Sequence, residues 1–221
     1  FERIPLNPPL AKGEVKKGVL SFAKGEVERI FYRRGRSFFI TKLIPTMNNK
    51  NKPRTLVLLF NDKGQILLGK KKYGLGKGYW NGFGGKIEYG ETIRQAAIRE
   101  LQEESGILMQ KNDLELRAIL KFNWLHTPEQ NYDGIVYVGK YIGDGFVETE
   151  EMLPQWWNID EIPYEQMWED DKYWLPSLLA GKYLEFQANF SDDTTMKDYD
   201  ISIKLSKEDL NIDFDEKNTN H

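Results

Sequence analysis

Alternating hydrophobic and polar positions predict a run of short strands over residues 55–205. A period of two residues places every second side chain on a buried face, and enrichment in Val, Ile, Leu and aromatic residues supports the same assignment. Residues 61–64, Asn-Asp-Lys-Gly, have the composition of a hairpin turn between the first two strands. The predicted strands cover residues 55–60, 65–70, 114–125, 134–142, 155–159, 183–190 and 199–205.

Two helices interrupt these strands. Thr92 and Gln95 have the spacing of a capping box, and Gly106 provides a typical helix end, so a helix is predicted between them. A second, shorter helix is predicted over residues 171–179. Helices inserted between strands indicate a mixed α/β domain.

Charge divides the chain into unlike parts. Residues 1–54 carry thirteen Lys or Arg against four Glu, whereas the remainder carries 18 basic against 30 acidic residues. Residues 44–53 are polar and interrupted by prolines, which is typical of a linker. We therefore predict a basic N-terminal extension and linker over residues 1–54, one globular domain over 55–205, and an acidic polar tail over 206–221.

Composition restricts the chemistry. The chain of 221 residues has no cysteine and two histidines, His126 and His221, which excludes disulfides and thiolate sites and disfavours a histidine-based zinc site. No apolar stretch of about 18 residues and no signal peptide is evident, so a soluble, intracellular protein is expected. Catalysis, if present, should depend on carboxylates.

Three glutamates on the first predicted helix are candidates for that role. Glu100, Glu103 and Glu104 are spaced i, i+3 and i+4, which places them on one helix face. Such a face is commonly just solvated, but a hard divalent cation that prefers oxygen ligands would also relieve the repulsion. The helix alone leaves both interpretations open.

The surrounding segment favours the second interpretation. From Gly85 to Ile107 the chain reads GKIEYGETIRQAAIRELQEESGI, with Glu91, Arg99 and Gly106 at fixed spacings from the glutamates. It resembles the signature of the Nudix hydrolase family at every specified position, a match expected by chance on the order of once in a billion starting positions. The resemblance implies a Nudix α/β/α sandwich with a mixed curled β-sheet.

The resemblance also implies site residues. It makes Glu100, Glu103, Glu104 and Glu151 the magnesium ligands, with Glu104 or a neighbour preparing the attacking water. Arg99 would support catalysis by holding these acids, together with Glu91. The likeness extends over most of residues 55–205 to Nudix enzymes that act on oxidised purine nucleotides, and implies substrate contacts from Thr55, Lys71, Asn81, Phe83, Phe122, Trp124, Trp168, Asp170, Asp171 and Trp174. Leu75 and Trp124 depart from that pattern, in which one position is aromatic and the other is phenylalanine.

Physical chemistry gives partial support to the pocket. A purine base stacks on aromatic rings, but tryptophans such as Trp168 and Trp174 are also ordinary core residues. Asp170 and Asp171 could share a proton and so read a base edge as both donor and acceptor. They could equally be favourable acids at a helix N-terminus.

The implied function is magnesium-dependent hydrolysis of oxidised purine nucleoside triphosphates, such as 8-oxo-dGTP and 2-oxo-dATP, to the monophosphate and pyrophosphate. This activity would sanitise the nucleotide pool and avoid DNA damage. The alternatives are a Nudix activity on methylated purine nucleotides, dinucleotides or nucleotide sugars, and added nucleic-acid binding through basic residues 1–54 with Phe31, Phe38 and Phe39. We expect a cytoplasmic monomer without nucleic-acid or membrane partners, and leave mitochondrial and nuclear locations open.

Overall fold

The computed structural model describes the backbone of three N-terminal strands, and describes in full residues 53–74, 76–143, 145–192 and 195–210. The chain forms two compact units, residues 1–49 and 50–221, which are treated separately. None of the helices among the described residues is long and apolar enough to cross a membrane.

The described residues of the first unit form a three-stranded antiparallel sheet, with β2 at its centre. The sequence analysis predicted only a basic extension here. Residues 46–52, which belong to the predicted linker, lie outside the described residues, as do Leu75 and residues 211–221. The strands are β1 (Lys16–Leu20), β2 (Val27–Arg34) and β3 (Ser37–Pro45).

The described part of the second unit contains an eight-stranded mixed sheet in the order β11-β10-β7-β8-β4-β5-β6, with β9 also paired to β5. The β4–β8 and β7–β10 pairs are parallel, and the other pairs are antiparallel. Its elements are β4 (Arg54–Phe60), β5 (Gln65–Lys71), β6 (Trp80–Asn81), α1 (Ile93–Ser105), β7 (Leu114–Trp124), β8 (Tyr132–Lys140), β9 (Met152–Asn158), α2 (Asp171–Leu179), β10 (Tyr183–Phe190) and β11 (Met196–Lys204).

Alternation along the strands gives the sheet two apolar faces. In β4, Leu58 packs with the cluster that includes Trp174 of α2, whereas Val57 and Leu59 pack with the cluster that includes Leu101 of α1. Because successive side chains of a strand point to opposite sides of the sheet, one strand contributes residues to both apolar faces. The two helices therefore cover opposite faces, which confirms the predicted α/β/α sandwich.

The ends of α1 match their sequence signals. Thr92 and Gln95 form a complete capping box, and Gly106 ends the helix with φ of 75°, in the left-handed region that glycine adopts readily. Because of these caps, the glutamate-rich turn lies at a defined distance from the loop that precedes the helix. The prediction of this helix and of α2 is confirmed.

The loop before α1 forms backbone hydrogen bonds with β4, as an additional short strand would. Val57 and Phe83 exchange backbone hydrogen bonds, and the amide of Thr55 donates to the carbonyl of Gly85 at 2.8 Å. A Cβ at Gly84 would lie 2.0 Å from the carbonyl oxygen of Thr55, so only glycine permits this approach. The glycine-rich segment is thus held against β4.

The start of the predicted tail is structured. Residues 207–209 form a turn of 3-10 helix, and Leu210 is buried in the apolar cluster beneath α1. The acidic, polar composition of the predicted tail gave no indication that Leu210 is buried.

Candidate active site

Arg99 organises the acidic side chains of α1. Its guanidinium forms two hydrogen bonds with Glu91, at 2.8 and 3.0 Å, and lies 3.0 Å from both Glu100 Oε1 and Glu103 Oε2. It also donates to the carbonyl of Lys86 at 3.0 Å. A planar guanidinium can hold several acceptors at once in fixed directions. Arg99 therefore ties the helix, the preceding loop and the acids together, and its own pKa is raised by Glu91 and Glu100.

Glu104 is the most enclosed of these acids, with 2% of the residue exposed. Its Oε2 accepts a hydrogen bond from the amide of Gly84 at 2.8 Å, and Lys71 Nζ lies 3.8 Å from its Oε1. Burial raises the pKa of Glu104 to about 7, and the nearby charge of Glu100 adds to the rise, against the opposing effects of Gly84 and Lys71.

Glu151, which precedes β9, reaches the same region from another part of the chain. Its Oε2 lies 4.0 Å from Lys71 Nζ, and its charge contributes to the raised pKa values of both Glu100 and Glu104. Burial is the largest cause of the shift at Glu100. We call Glu100, Glu103, Glu104 and Glu151 the carboxylate cluster.

The cluster is open in this conformation. Among the described side chains, no three carboxylate or imidazole groups converge on one point; instead the acids contact the cations Arg99 and Lys71. The donor set still fits a hard divalent cation, which prefers carboxylate oxygens. Gly85 supports this fit, because a Cβ there would lie 2.5 Å from Glu100 Oε1 and would fill the space beside that carboxylate.

Thr55 supports the loop beside the cluster. Its hydroxyl oxygen accepts a hydrogen bond from the amide of Gly85 at 3.3 Å, and the Thr55 side chain is buried. Asn81 is half-buried in β6 and accepts a hydrogen bond from the amide of Gly82 at 2.8 Å. Both of these predicted substrate residues contact the glycine-rich segment.

Phe122 and Trp124 lie at the end of β7 among rings that the sequence analysis did not select. Trp124 stacks on Phe190 with ring centroids 5.1 Å apart and on Tyr132 at 5.7 Å, and Phe122 lies 5.0 Å from Tyr132. Strand register explains this, since Phe190 is level with Trp124 and Tyr132 with Phe122. Aromatic residues at strand ends were a visible signal, but the strand order needed to combine them was not. We call Phe122, Trp124, Tyr132 and Phe190 the aromatic group.

Asp170 and Asp171 are both buried at the start of α2, and we call them the aspartate pair. Trp174 Nε1 donates to Asp170 Oδ2 at 3.0 Å, and the amide of Trp168 donates to Asp171 Oδ2 at 3.1 Å. Burial raises the pKa of both carboxyl groups, and the charge of Asp170 raises that of Asp171 further. Asp170 occupies the N-cap position but makes no capping hydrogen bond, so helix capping does not account for it.

Tyr132 connects the aspartate pair with the aromatic group. The charges of Asp170 and Asp171 both act to raise the pKa of its hydroxyl, although burial is the larger cause. The guanidinium of Arg54 lies 4.5 Å from the centroid of the Tyr132 ring and opposes the shift. Buried acids and stacked rings thus form one continuous region on the α2 side of the sheet.

The remaining three predicted substrate residues differ in their placement. Trp174 is 1% exposed and packs in the core, so it acts on its surroundings through Asp170. Phe83 is fully buried in the apolar cluster on the opposite, α1 side of the sheet. Trp168 is half-buried, lies edge-on to Tyr79 at 5.2 Å, and would be 2.8 Å from a Cβ at Gly76.

Residues 50–178 match the NUDIX domain, so the chain belongs to this family. It is 45% identical over 139 residues to a protein of Danio rerio named oxidized purine nucleoside triphosphate hydrolase, covering 61% of this chain and 86% of that one. It is 40% identical over 147 residues to the Mus musculus protein of the same name, covering 66% of this chain and 92% of that one. The fold is shared with the crystal structure of the mutator MutT protein from Bacillus halodurans, at a TM-score of 0.59 and 22% identity. The match covers 67% of this chain and 96% of that one. Nudix hydrolases generally use a divalent metal ion.

Proposed function

We propose that the chain hydrolyses oxidised purine nucleoside triphosphates to the nucleoside monophosphate and pyrophosphate, with magnesium as the cation. The family match supports hydrolysis, and the names of the two animal relatives support the substrate class. The observation that carries the proposal is the pairing, within one unit, of the carboxylate cluster with a buried aspartate pair beside aromatic rings.

The carboxylate cluster would hold the cation and the reacting phosphates. Glu100, Glu103, Glu104 and Glu151 are the proposed ligands. A bound divalent cation supplies charge neutralisation on phosphate oxygens and lowers the pKa of water. Arg99 would orient the acids, since it already contacts Glu100 and Glu103 at 3.0 Å. Lys71, within 4.0 Å of Glu104 and Glu151, would be released from them to face the phosphates.

Glu104 or a neighbouring acid would take a proton from the attacking water. Its Oε2 is oriented by the amide of Gly84, and its enclosed position excludes most bulk water. Attack on phosphorus then breaks the bond to the departing pyrophosphate, and most of the rate comes from positioning and charge neutralisation.

The aspartate pair and the aromatic group would read the base. A protonated carboxyl group donates a hydrogen bond and an ionised one accepts, so a pair that holds one proton offers both. Phe122 would supply a stacking surface, and Trp124 would line the edge of the base. Base stacking on an aromatic side chain contributes about 1 to 3 kcal/mol per base.

The direct test is a turnover comparison of 8-oxo-dGTP, 2-oxo-dATP and dGTP, with magnesium present and absent. We expect the oxidised nucleotides to be preferred, pyrophosphate rather than phosphate to be released, and turnover to require the cation. A methylated purine nucleotide, a dinucleotide and a nucleotide sugar complete the panel. Preference for one of these three substrates would replace the proposed substrate class while leaving the family unchanged.

A further inference from the structure

The indole nitrogen of Trp124 is a buried donor without a partner. Among the described side chains, Trp124 Nε1 and Trp157 Nε1 are the two fully covered polar atoms that have no hydrogen bond. Buried donors in folded proteins are nearly always satisfied, and one left without an acceptor destabilises the native state. The unpaired N–H therefore calls for a physical explanation.

The ring of Trp124 packs against rings on both neighbouring strands, Phe190 on β10 and Tyr132 on β8. It stacks on Phe190 at an interplanar angle of 15° and on Tyr132 at 27°, and its backbone amide donates to Asn131 Oδ1 at 2.7 Å. A ring held this firmly cannot turn freely to find an acceptor. The direction of its N–H is set by packing before any ligand arrives.

Trp174, on the same side of the sheet, has an indole N–H that is paired. Its indole N–H donates to Asp170 Oδ2 at 3.0 Å. The region thus contains acceptors, and one indole uses one of them. Trp124 stacks on Tyr132, whose hydroxyl is within electrostatic reach of both aspartates, so its unused donor belongs to the region assigned to the base.

We propose that Trp124 is a specificity-determining residue whose indole N–H donates to an acceptor on the purine base, either a carbonyl oxygen or an unprotonated ring nitrogen. This inference rests on the proposed function. An indole N–H can only donate, so it disfavours a base that presents an amino group or a ring N–H at the same place. Since the nitrogen is covered in this conformation, base binding must uncover it.

Two matched substitutions test the role. Trp124→Phe keeps an aromatic ring and removes the N–H. Trp157→Phe makes the same change at the other unpaired indole, on β9, which is separated from β7 by β5, β4 and β8. For Trp124→Phe we expect kcat/KM for the preferred oxidised nucleotide to fall about 5- to 150-fold and its ratio to dGTP to change. For Trp157→Phe we expect the ratio to be unchanged.

A binding measurement on the unmodified protein provides an independent readout. With ¹⁵N-labelled tryptophan, the indole resonance of Trp124, assigned by its loss in Trp124→Phe, should shift downfield on addition of 8-oxo-dGMP. An unshifted Trp124 resonance, while other resonances report binding, would overturn the inference. The same conclusion would follow if Trp124→Phe and Trp157→Phe had equal ratios of kcat/KM for the preferred oxidised nucleotide over dGTP. If the wild type hydrolyses no oxidised purine nucleotide, the proposed function fails as well. Turnover by the wild type with an unchanged ratio in Trp124→Phe rejects only the role of Trp124.

Discussion

The carboxylate cluster and the aspartate pair contain the same functional group with different partners. Arg99 and Lys71 contact the glutamates of the cluster and offset part of their repulsion, although burial still raises the pKa of Glu100 and raises that of Glu104 to about 7. Asp170 and Asp171 instead lie among tryptophan and tyrosine rings, and burial raises the pKa of both. Burial therefore raises carboxyl pKa values in both places, and it is the partners that differ. Cations contact the cluster, where a divalent cation could take their place, whereas indole and amide donors contact the aspartate pair, which can retain a proton. Environment, rather than residue type, separates the two roles.

The largest effect should come from the carboxylate cluster. Glu104→Gln preserves shape and an acceptor for the amide of Gly84, but it removes a charge from the proposed cation site. We expect turnover to fall at least about 100-fold while the fold is retained, as checked by circular dichroism and steady-state kinetics. The exposed residue Glu208 provides a control, since Glu208→Gln should leave turnover unchanged. Near-wild-type activity in Glu104→Gln would contradict the mechanism.

Changes in the aspartate pair should alter substrate choice instead. Asp170→Asn and Asp171→Asn each fix one donor and acceptor pattern, so the kcat/KM ratio for 8-oxo-dGTP over 2-oxo-dATP should change by about 5- to 150-fold, and differently in each variant. Magnesium affinity should be unaffected, and the exposed neighbour Glu169 supplies a control as Glu169→Gln. Equal losses on all nucleotides, together with weaker magnesium binding, would show that the pair is structural.

A smaller effect is expected on the pH dependence of stability. Because burial raises the pKa of Asp170 and Asp171, the native state binds more protons than the unfolded state. Their contribution is therefore complete below the ordinary aspartate pKa of about 4 and is lost as pH rises through the raised values. Either substitution by Asn should flatten the decline in the urea midpoint between pH 5 and pH 8. Wild-type and variant curves that run parallel, as expected for the exposed control Asp160→Asn, would contradict the assignment.

The smallest effect should come from removing the first unit. Every predicted site residue lies at or beyond Thr55, so a chain that begins at Lys52 should keep its kcat/KM within a few-fold. The same comparison tests the predicted domain boundary and the nucleic-acid alternative. Loss of salt-sensitive nucleic-acid retention on truncation would support added binding by residues 1–54. A truncated protein that is folded but inactive would show that the first unit contributes to catalysis.

Local signals in the sequence were sufficient for much of the second unit. The capping box at Thr92, the glycine at 106 and the i, i+3, i+4 glutamates specify α1 because helix ends and helix faces depend on neighbouring residues. The limits of α2 and β10 were also predicted from local pattern. The strands of the first unit were not, because their basic residues were interpreted as an extension despite the apolar run Phe38-Phe39-Ile40.

The placement of Glu100, Glu103 and Glu104 on one helix face and the class of fold were determined by the sequence alone, since both depend on residue types at short, regular spacings. The contacts of Glu151 and Lys71 with this region, and the burial of Glu104, came only with the tertiary structure. Strand order decided what the sequence could not. It placed Tyr132 and Phe190 against Trp124, and it put Phe83 on the opposite face of the sheet from Phe122. It also left the indole N–H of Trp174 paired and that of Trp124 unpaired. Trp124 and Phe190 are 66 positions apart in the chain, and a contact between such distant residues depends on how strands pair, which reflects the packing of the whole domain rather than any local pattern.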